Sequence, residues 1–218
     1  MKVIQLGASV TASNEKDAER LRAKMKAGGT LLINVMSSAG AGKTTLLSRI
    51  IRDMPHTSIA VMEADIESDV DAVRIESLGA KAIQVHTGGM CHMDAGMTAA
   101  AVEAMDANAD LIFLENVGNL ICPAEYDTGA GKNLMILSVP EGDDKPLKYP
   151  LMFGKSDALV ISKLDALPYF TFDVQRCIAR VKKLNADIKI FPVSAKTGEG
   201  MQALEDWLCE RMAEWQQS

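Results

Sequence analysis

The stretch Ser37-Ser38-Ala39-Gly40-Ala41-Gly42-Lys43-Thr44 constrains the fold more than any other part of the chain, because of what flanks it. Before it runs the largely apolar, strand-length segment Leu31–Met36. After it, Thr44–Asp53 places apolar residues three and four apart, the period of a helix with one buried face. Strand, small-residue turn and helix in that order fit G-x-x-x-x-G-K-[ST], with Ser37 in place of the first glycine. Gly40 and Gly42 permit positive φ and close backbone approach, so successive N–H groups can turn inward around a phosphate chain at a helix N-terminus. Lys43 then sets an ammonium on the β- and γ-phosphates, and the Thr44 hydroxyl faces Mg²⁺. The candidate phosphate-binding residues are Ser38, Ala39, Gly40, Ala41, Gly42, Lys43, Thr44 and Thr45.

Downstream, apolar runs alternate with helical periods. Strands are expected at Leu31–Met36, Ser58–Met62, Ala82–His86, Leu111–Glu115, Leu134–Val139, Ala158–Ser162 and Ile188–Val193. Helices are expected at Thr44–Asp53, Val70–Leu78, Met93–Ala107, Phe172–Leu184 and Met201–Trp215. Nearly continuous apolar strands with helices between them indicate a parallel sheet covered on both faces. The predicted fold class is therefore α/β, a P-loop NTPase with a doubly wound, mostly parallel seven-stranded sheet. Residues 1–28 read as a helical leader, capped at Ser13 or Asn14, with a thin stripe of Ala18, Leu21 and Met25 that packs at the surface; residues 29–218 form the nucleotide-binding domain. A net charge of −6 disfavours a nucleic-acid partner. No apolar run approaches the roughly 20 residues of a membrane span, and no secretory signal is evident, so a cytoplasmic location is expected.

Ligands of such sheets lie at the carboxyl ends of the strands. Glu115 ends one strand and Asp65 follows another, and a carboxylate at either place can orient the water shell of Mg²⁺, although Glu63, Glu67, Asp69 and Asp71 rival Asp65. Gly118 can give an N–H to a γ-phosphate and move when it leaves. Together Lys43, Asp65, Glu115 and Gly118 are the candidate catalytic group. Ser162-Lys163-Leu164-Asp165 resembles the N-K-x-D element of GTPases, with serine first, and Ser194-Ala195-Lys196 resembles their second base-contacting element. A carboxylate at Asp165 accepts from both N1–H and the 2-amino group of guanine, an arrangement adenine lacks. The stem of Lys163 covers the ring, and the Ala195 N–H meets the O6 oxygen. A small-molecule kinase or ATP-dependent ligase is the competing reading on this scaffold, and a binding module that uses nucleotide only to dimerise is another; Asp165 and Ser194-Ala195-Lys196 speak against the kinase.

The chain has four cysteines. Cys91-His92 and Cys122 offer soft thiolates and an imidazole suited to Ni²⁺ or Zn²⁺, but spacing alone leaves packed thiols and metal ligands as alternatives, and three ligands fall one short of a closed tetrahedral site. Two copies paired across a dimer axis supply more than enough. Cys177 and Cys209 lie on helical faces and read as structural.

With these elements placed, the chain resembles the HypB family of GTPases that serve nickel insertion into [NiFe]-hydrogenase, in the class shared with the urease accessory protein UreG and signal-recognition GTPases. The carriers are Thr87-Gly88-Gly89-Met90-Cys91-His92-Met93-Asp94-Ala95, Glu115-Asn116-Val117-Gly118-Asn119-Leu120-Ile121-Cys122-Pro123-Ala124 and the segment from Val139-Pro140-Glu141-Gly142-Asp143 to Tyr149-Pro150. The resemblance implies GTP with Mg²⁺ as cofactors, nickel or zinc on Cys91, His92 and Cys122, a GTP-dependent homodimer, and a HypA-type nickel-binding partner together with the [NiFe]-hydrogenase large subunit. A urease-type nickel accessory role is the alternative within the class. The N-terminal cysteine cluster and histidine-rich tract of many relatives are missing from this sequence, so a separate tight nickel site and nickel storage are not expected.

Overall fold

The computed structural model describes residues 2–5, 11–65 and 70–217. Its elements run β1 (Lys2–Gln5), α1 (Thr11–Ala27), β2 (Leu31–Ser37), α2 (Lys43–Asp53), β3 (Ile59–Asp65), α3 (Val70–Glu76), β4 (Lys81–His86), α4 (Ala95–Met105), β5 (Leu111–Glu115), α5 (Cys122–Glu125), β6 (Lys132–Ser138), α6 (Lys145–Lys148), α7 (Pro150–Lys155), β7 (Ala158–Ser162), α8 (Val174–Leu184), β8 (Lys189–Pro192) and α9 (Met201–Gln217). The sheet order is β1-β4-β3-β5-β2-β6-β7-β8, and every pairing is parallel. The seven expected strands are all present, with ends displaced by a few residues. An eighth, β1, pairs with β4 at the edge and comes from the stretch read as a purely helical leader.

From β2 the chain winds outward in both directions, so the crevice above its carboxyl end lies at the switch point of the sheet. Alternation along β2 divides the core. Leu31, Ile33 and Val35 face α2, α3 and α9, where Leu47, Ile50, Ile75, Leu204 and Leu208 complete the larger apolar cluster. Leu32 faces Leu21, Met25, Met97 and Met105 of α1 and α4, while Met36 faces Met152, Phe153, Cys177 and Val181 of α7 and α8. Between those two clusters Asn34 is buried, and its amide donates to Asn133 and accepts from Asn116, both at 3.0 Å. A polar seam thus divides the second face.

The leader differs from expectation in a second respect. Helix α1 starts at Thr11, so Asn14 lies within the helix rather than capping it, and Ala18, Leu21 and Met25 are buried. The thin stripe is nonetheless buried, because Leu21 and Met25 pack among Leu32, Met97 and Met105 and Gly129 lies so close that a Cβ there would come within 2.9 Å of Leu21. Among the described residues no helix is long and apolar enough to cross a membrane.

Phe113, at the middle of β5, is among the largest fully buried side chains. Phe113→Ala is expected to lower the unfolding free energy by about 3–5 kcal/mol through lost transfer energy and an unfilled cavity. A urea denaturation series checks this, and a loss below about 1 kcal/mol would mean that the neighbouring helices collapse into the space.

Candidate nucleotide and metal sites

The phosphate loop joins β2 to α2 and is shaped by its glycines. Gly40 and Gly42 hold φ at +74° and +99°, values open to glycine and strained for other residues. Lys43 begins α2 and directs its ammonium back to the Ser37 hydroxyl at 3.2 Å, with Glu115 at 3.9 Å. The serine that replaces the first motif glycine thus acts as an acceptor for the motif lysine. Thr44 donates to the buried Glu115 carboxylate at 3.1 Å. A hydroxyl and a carboxylate meeting at one point are hard oxygen donors of the kind Mg²⁺ takes. Asp65 ends β3, but its side chain lies outside the described residues, as do Glu67, Asp69 and the Asp71 side chain.

Gly118 lies directly against the loop. A Cβ there would stand 2.8 Å from the Ala39 nitrogen and 2.9 Å from its Cα, so any side chain must push the two loops apart. The base-pocket residues converge on the other flank. Lys163 adopts φ +61°, a left-handed conformation that costs a non-glycine residue energy, and the turn sends its ammonium to the Gly40 carbonyl at 2.6 Å. Ser162 donates to the Ala41 carbonyl at 2.8 Å. Asp165 accepts from the Ser194 hydroxyl at 2.7 Å, which ties the two base-contacting elements together beside Ala195 and Lys196.

On the opposite side of Gly118, the Cys91, His92 and Cys122 ligand atoms all lie within 4.8 Å of one another. The two sulfurs are 2.9 Å apart. The bond to Cys122, reinforced by burial, pushes the Cys91 thiol above its ordinary range. Burial pushes the His92 imidazole down, against the pull of Asp94 and Glu125, which favours the neutral form that can ligate. Among the described residues the buried His92 Nε2 has no hydrogen-bond partner, and the ring stacks on Tyr126 at 3.7 Å between centroids and 15° between planes. An orphaned imidazole nitrogen beside two thiols fits a soft or borderline divalent ion. Cys177 is different in kind, since burial, aided by the charge of Asp143 and opposed by Arg180, pushes it up to about 12.

Three residues with no assigned role in the sequence reading help to shape these sites. Asn116 is fully buried, and its Oδ1 accepts from the amides of both Met93 and Val117. Glu141 receives the Ser38 hydroxyl of the phosphate loop and both the amide and hydroxyl of Ser138. Tyr126 supports His92. Asp143 pins the same segment as Glu141: burial raises its carboxyl, but bonds from Arg176, the Asp173 amide and Arg180 outweigh this and leave it below the usual range. The Ser138–Glu141 pair is a capping box with the local spacing S-x-x-E, and Asn116 meets its own neighbour Val117, whereas the contacts to Met93, Ser38, Arg176 and Arg180 join remote segments that only tertiary geometry brings together.

Residues 31–192 match the family described as CobW/HypB/UreG, nucleotide-binding domain. The chain is 44% identical over 209 residues to the hydrogenase maturation factor HypB of Azotobacter chroococcum mcd 1, spanning 95% of this chain and 68% of that protein. It is 40% identical over 222 residues to the hydrogenase/urease maturation factor HypB of Helicobacter hepaticus, spanning 100% and 91%. This chain belongs to the HypB family of hydrogenase maturation factors. In three dimensions the HypB fold is equally clear: the crystal structure of HypB from Helicobacter pylori in complex with nickel superposes with a TM-score of 0.88 at 37% identity, covering 93% of this chain and 96% of that one. HypB of Archaeoglobus fulgidus gives 0.87 at 35% identity, covering 92% and 99%. The candidate phosphate loop, Gly118 and Ser162–Asp165 lie within the matched stretch, and Ser194–Lys196 follow just beyond it.

Gly118→Ala is expected to displace the phosphate loop. Overpacking of this kind costs about 1–3 kcal/mol, so triphosphate affinity should fall about tenfold or more. Isothermal titration with a non-hydrolysable GTP analogue checks this, and unchanged affinity would contradict the close approach.

Proposed function

We propose that this chain is a slow regulatory GTPase that carries nickel, or zinc, and assists nickel insertion during [NiFe]-hydrogenase maturation. The observation that carries the reading is that one short segment serves both sites. Gly118 abuts the phosphate loop at Ala39, and four residues later Cys122 meets Cys91. A shift of the Gly118 peptide on γ-phosphate binding therefore moves a metal ligand directly. The Helicobacter pylori relative, solved in complex with nickel, supports nickel as the cargo.

In this reading the backbone from Ser38 to Thr45 wraps the phosphates, and Lys43 leaves Ser37 and Glu115 to neutralise charge on the β- and γ-oxygens. Thr44, Glu115 and the carboxylate at Asp65 hold Mg²⁺, which supplies further neutralisation of that charge when bound. Asp165 and Ala195 select guanine, Lys163 covers the ring, and Ser162, Ser194 and Lys196 complete the pocket. Cys91, His92 and Cys122 take the transported ion. GTP brings two copies together, so that both triplets share one site and remedy the shortage of ligands in a single copy. Hydrolysis loosens that site and releases the ion, in the cytoplasm, to a HypA-type partner or the hydrogenase large subunit.

Asp165→Asn is expected to weaken GTP and improve xanthine nucleotide, whose 2-oxo group accepts from the new amide. Competition assays check this, and ATP binding as tightly as GTP to the unaltered chain would defeat the base-pocket assignment.

Metal and nucleotide should be linked. With the GTP analogue, Ni²⁺ or Zn²⁺ affinity should exceed that with GDP by about 5–150-fold, the usual range of such couplings, and metal should tighten the analogue by the same factor. Affinity should also fall as pH drops from about 8 to 6, because thiols must shed protons to ligate and the Cys91 thiol holds its proton above the ordinary range. Calorimetry in buffers of different ionisation enthalpy reads the released protons. Equal affinities in the two nucleotide states would end the gating reading even if both cysteines ligate.

A further inference from the structure

Helix α1 lies outside the stretch matched to the family, which begins at residue 31. Yet its polar side chains reach both segments that bear metal ligands. Asn14 is 5% exposed. Its Oδ1 accepts from the Ala95 amide and its Nδ2 donates to the Asp127 carbonyl, both at 2.9 Å. Ala95 opens α4 directly after Cys91-His92-Met93-Asp94, so its N–H is a first-turn amide without a partner inside the helix. Asp127 follows Tyr126, whose ring stacks on His92, and lies five residues beyond Cys122. One carboxamide thus joins the two loops whose thiols must meet.

Arg22, two turns further along α1, strengthens the same grip. Its Nη2 donates to both carboxylate oxygens of Asp127 at 2.8 Å, and its Nε donates to the Ala130 carbonyl at 3.1 Å. The helix is itself anchored, since Ala18, Leu21 and Met25 are buried in the core. Beside the contact lies a cavity of about 390 Å³ bordered by Asn14, Arg22, Pro123, Tyr126 and Asp127. On that side the contacts to α1 restrain the Cys122–Asp127 turn, whose other face packs on α7 through Ala124.

We propose that α1 is the clamp of the metal site, with Asn14 and Arg22 as positioning residues that hold the Cys91-His92 loop and the Cys122–Tyr126 turn at ligand spacing before the ion arrives. The proposal rests on the metal-site reading above and extends it to a helix that supplies no ligand. Ordering two loops at the moment of binding subtracts from affinity, and a scaffold that orders them beforehand removes that cost. Residues behind a ligand commonly alter metal affinity about 10–100-fold when replaced.

The test uses the full chain and Ni²⁺ in competition with a chelator, well below the unfolding temperature, with thiolate-to-nickel absorption recorded alongside. Asn14→Ala should weaken Ni²⁺ about 10–100-fold and change the absorption band, while affinity for a GTP analogue without metal stays as in the unaltered chain. Arg22→Gln, at the helix surface, should act in the same direction with smaller effect, and decides alone if Asn14→Ala does not fold. A merely structural role would lower the unfolding midpoint and leave both nickel readouts unchanged. Unaltered nickel affinity and absorption in the folded variants overturn the clamp alone. An unaltered chain that takes up no Ni²⁺ overturns the metal-site reading and the clamp with it.

Discussion

The pairing of β5 with β2, with Glu115 opposite Val35, is the constraint on which both sites depend. Parallel register brings the ends of the two strands level, so the loops that leave them share one crevice. Glu115 can then accept from Thr44, and Gly118 can rest on Ala39. The same register carries Cys122 to the neighbourhood of Cys91, which arrives from the loop after β4. A slip by one residue would turn Glu115 to the opposite face of the sheet and dismantle all of these contacts at once.

Holding such loops firmly in a nearly apolar interior requires buried polar groups, and these are costly unless fully paired. The seam of Asn34, Asn116 and Asn133 meets that requirement by a chain of hydrogen bonds donated by side-chain carboxamides: Asn116 to Asn34, Asn34 to Asn133, and Asn133 to the Lys155 carbonyl. Its terminal acceptor, Asn116 Oδ1, serves Met93 on the metal side and Val117 on the nucleotide side. The two loops are therefore referenced to one rigid atom in the sheet. A buried network of this kind gives a unique geometry, because any other arrangement strands an amide in an apolar core.

Much of this was legible in the residue pattern. The candidate phosphate loop, the candidate base-contacting elements and the strands β2 to β8 carry local signals: glycines at 40 and 42, a lysine and threonine at a helix start, and apolar runs ended by polar residues. Cys91, His92 and Cys122 were nameable as candidates, yet their spacing alone favoured packed thiols and the family resemblance was what pointed to a metal, since adjacent residues do not announce that a third will arrive from another strand. The leader was misjudged for a related reason. A narrow apolar stripe suggests a surface helix, whereas here Ala18, Leu21 and Met25 are buried because Leu21 and Met25 join the core cluster of Leu32, Met97 and Met105 and Gly129 admits Leu21 closely. Asn14 reads as a helix cap on local preference, and its actual partners, Ala95 and Asp127, are remote in the chain.

The sequence by itself determined the class of fold and named the candidate phosphate loop and the candidate base-contacting elements, because each of these is read from residues within one strand–loop unit, where backbone geometry links neighbours directly. Only the tertiary structure decided how the units communicate: which carboxylate meets Thr44, how near Gly118 comes to Ala39, whether three soft ligands converge, and what α1 grips. These are contacts between segments far apart along the chain. Strand order and register set them, and no local periodicity encodes either.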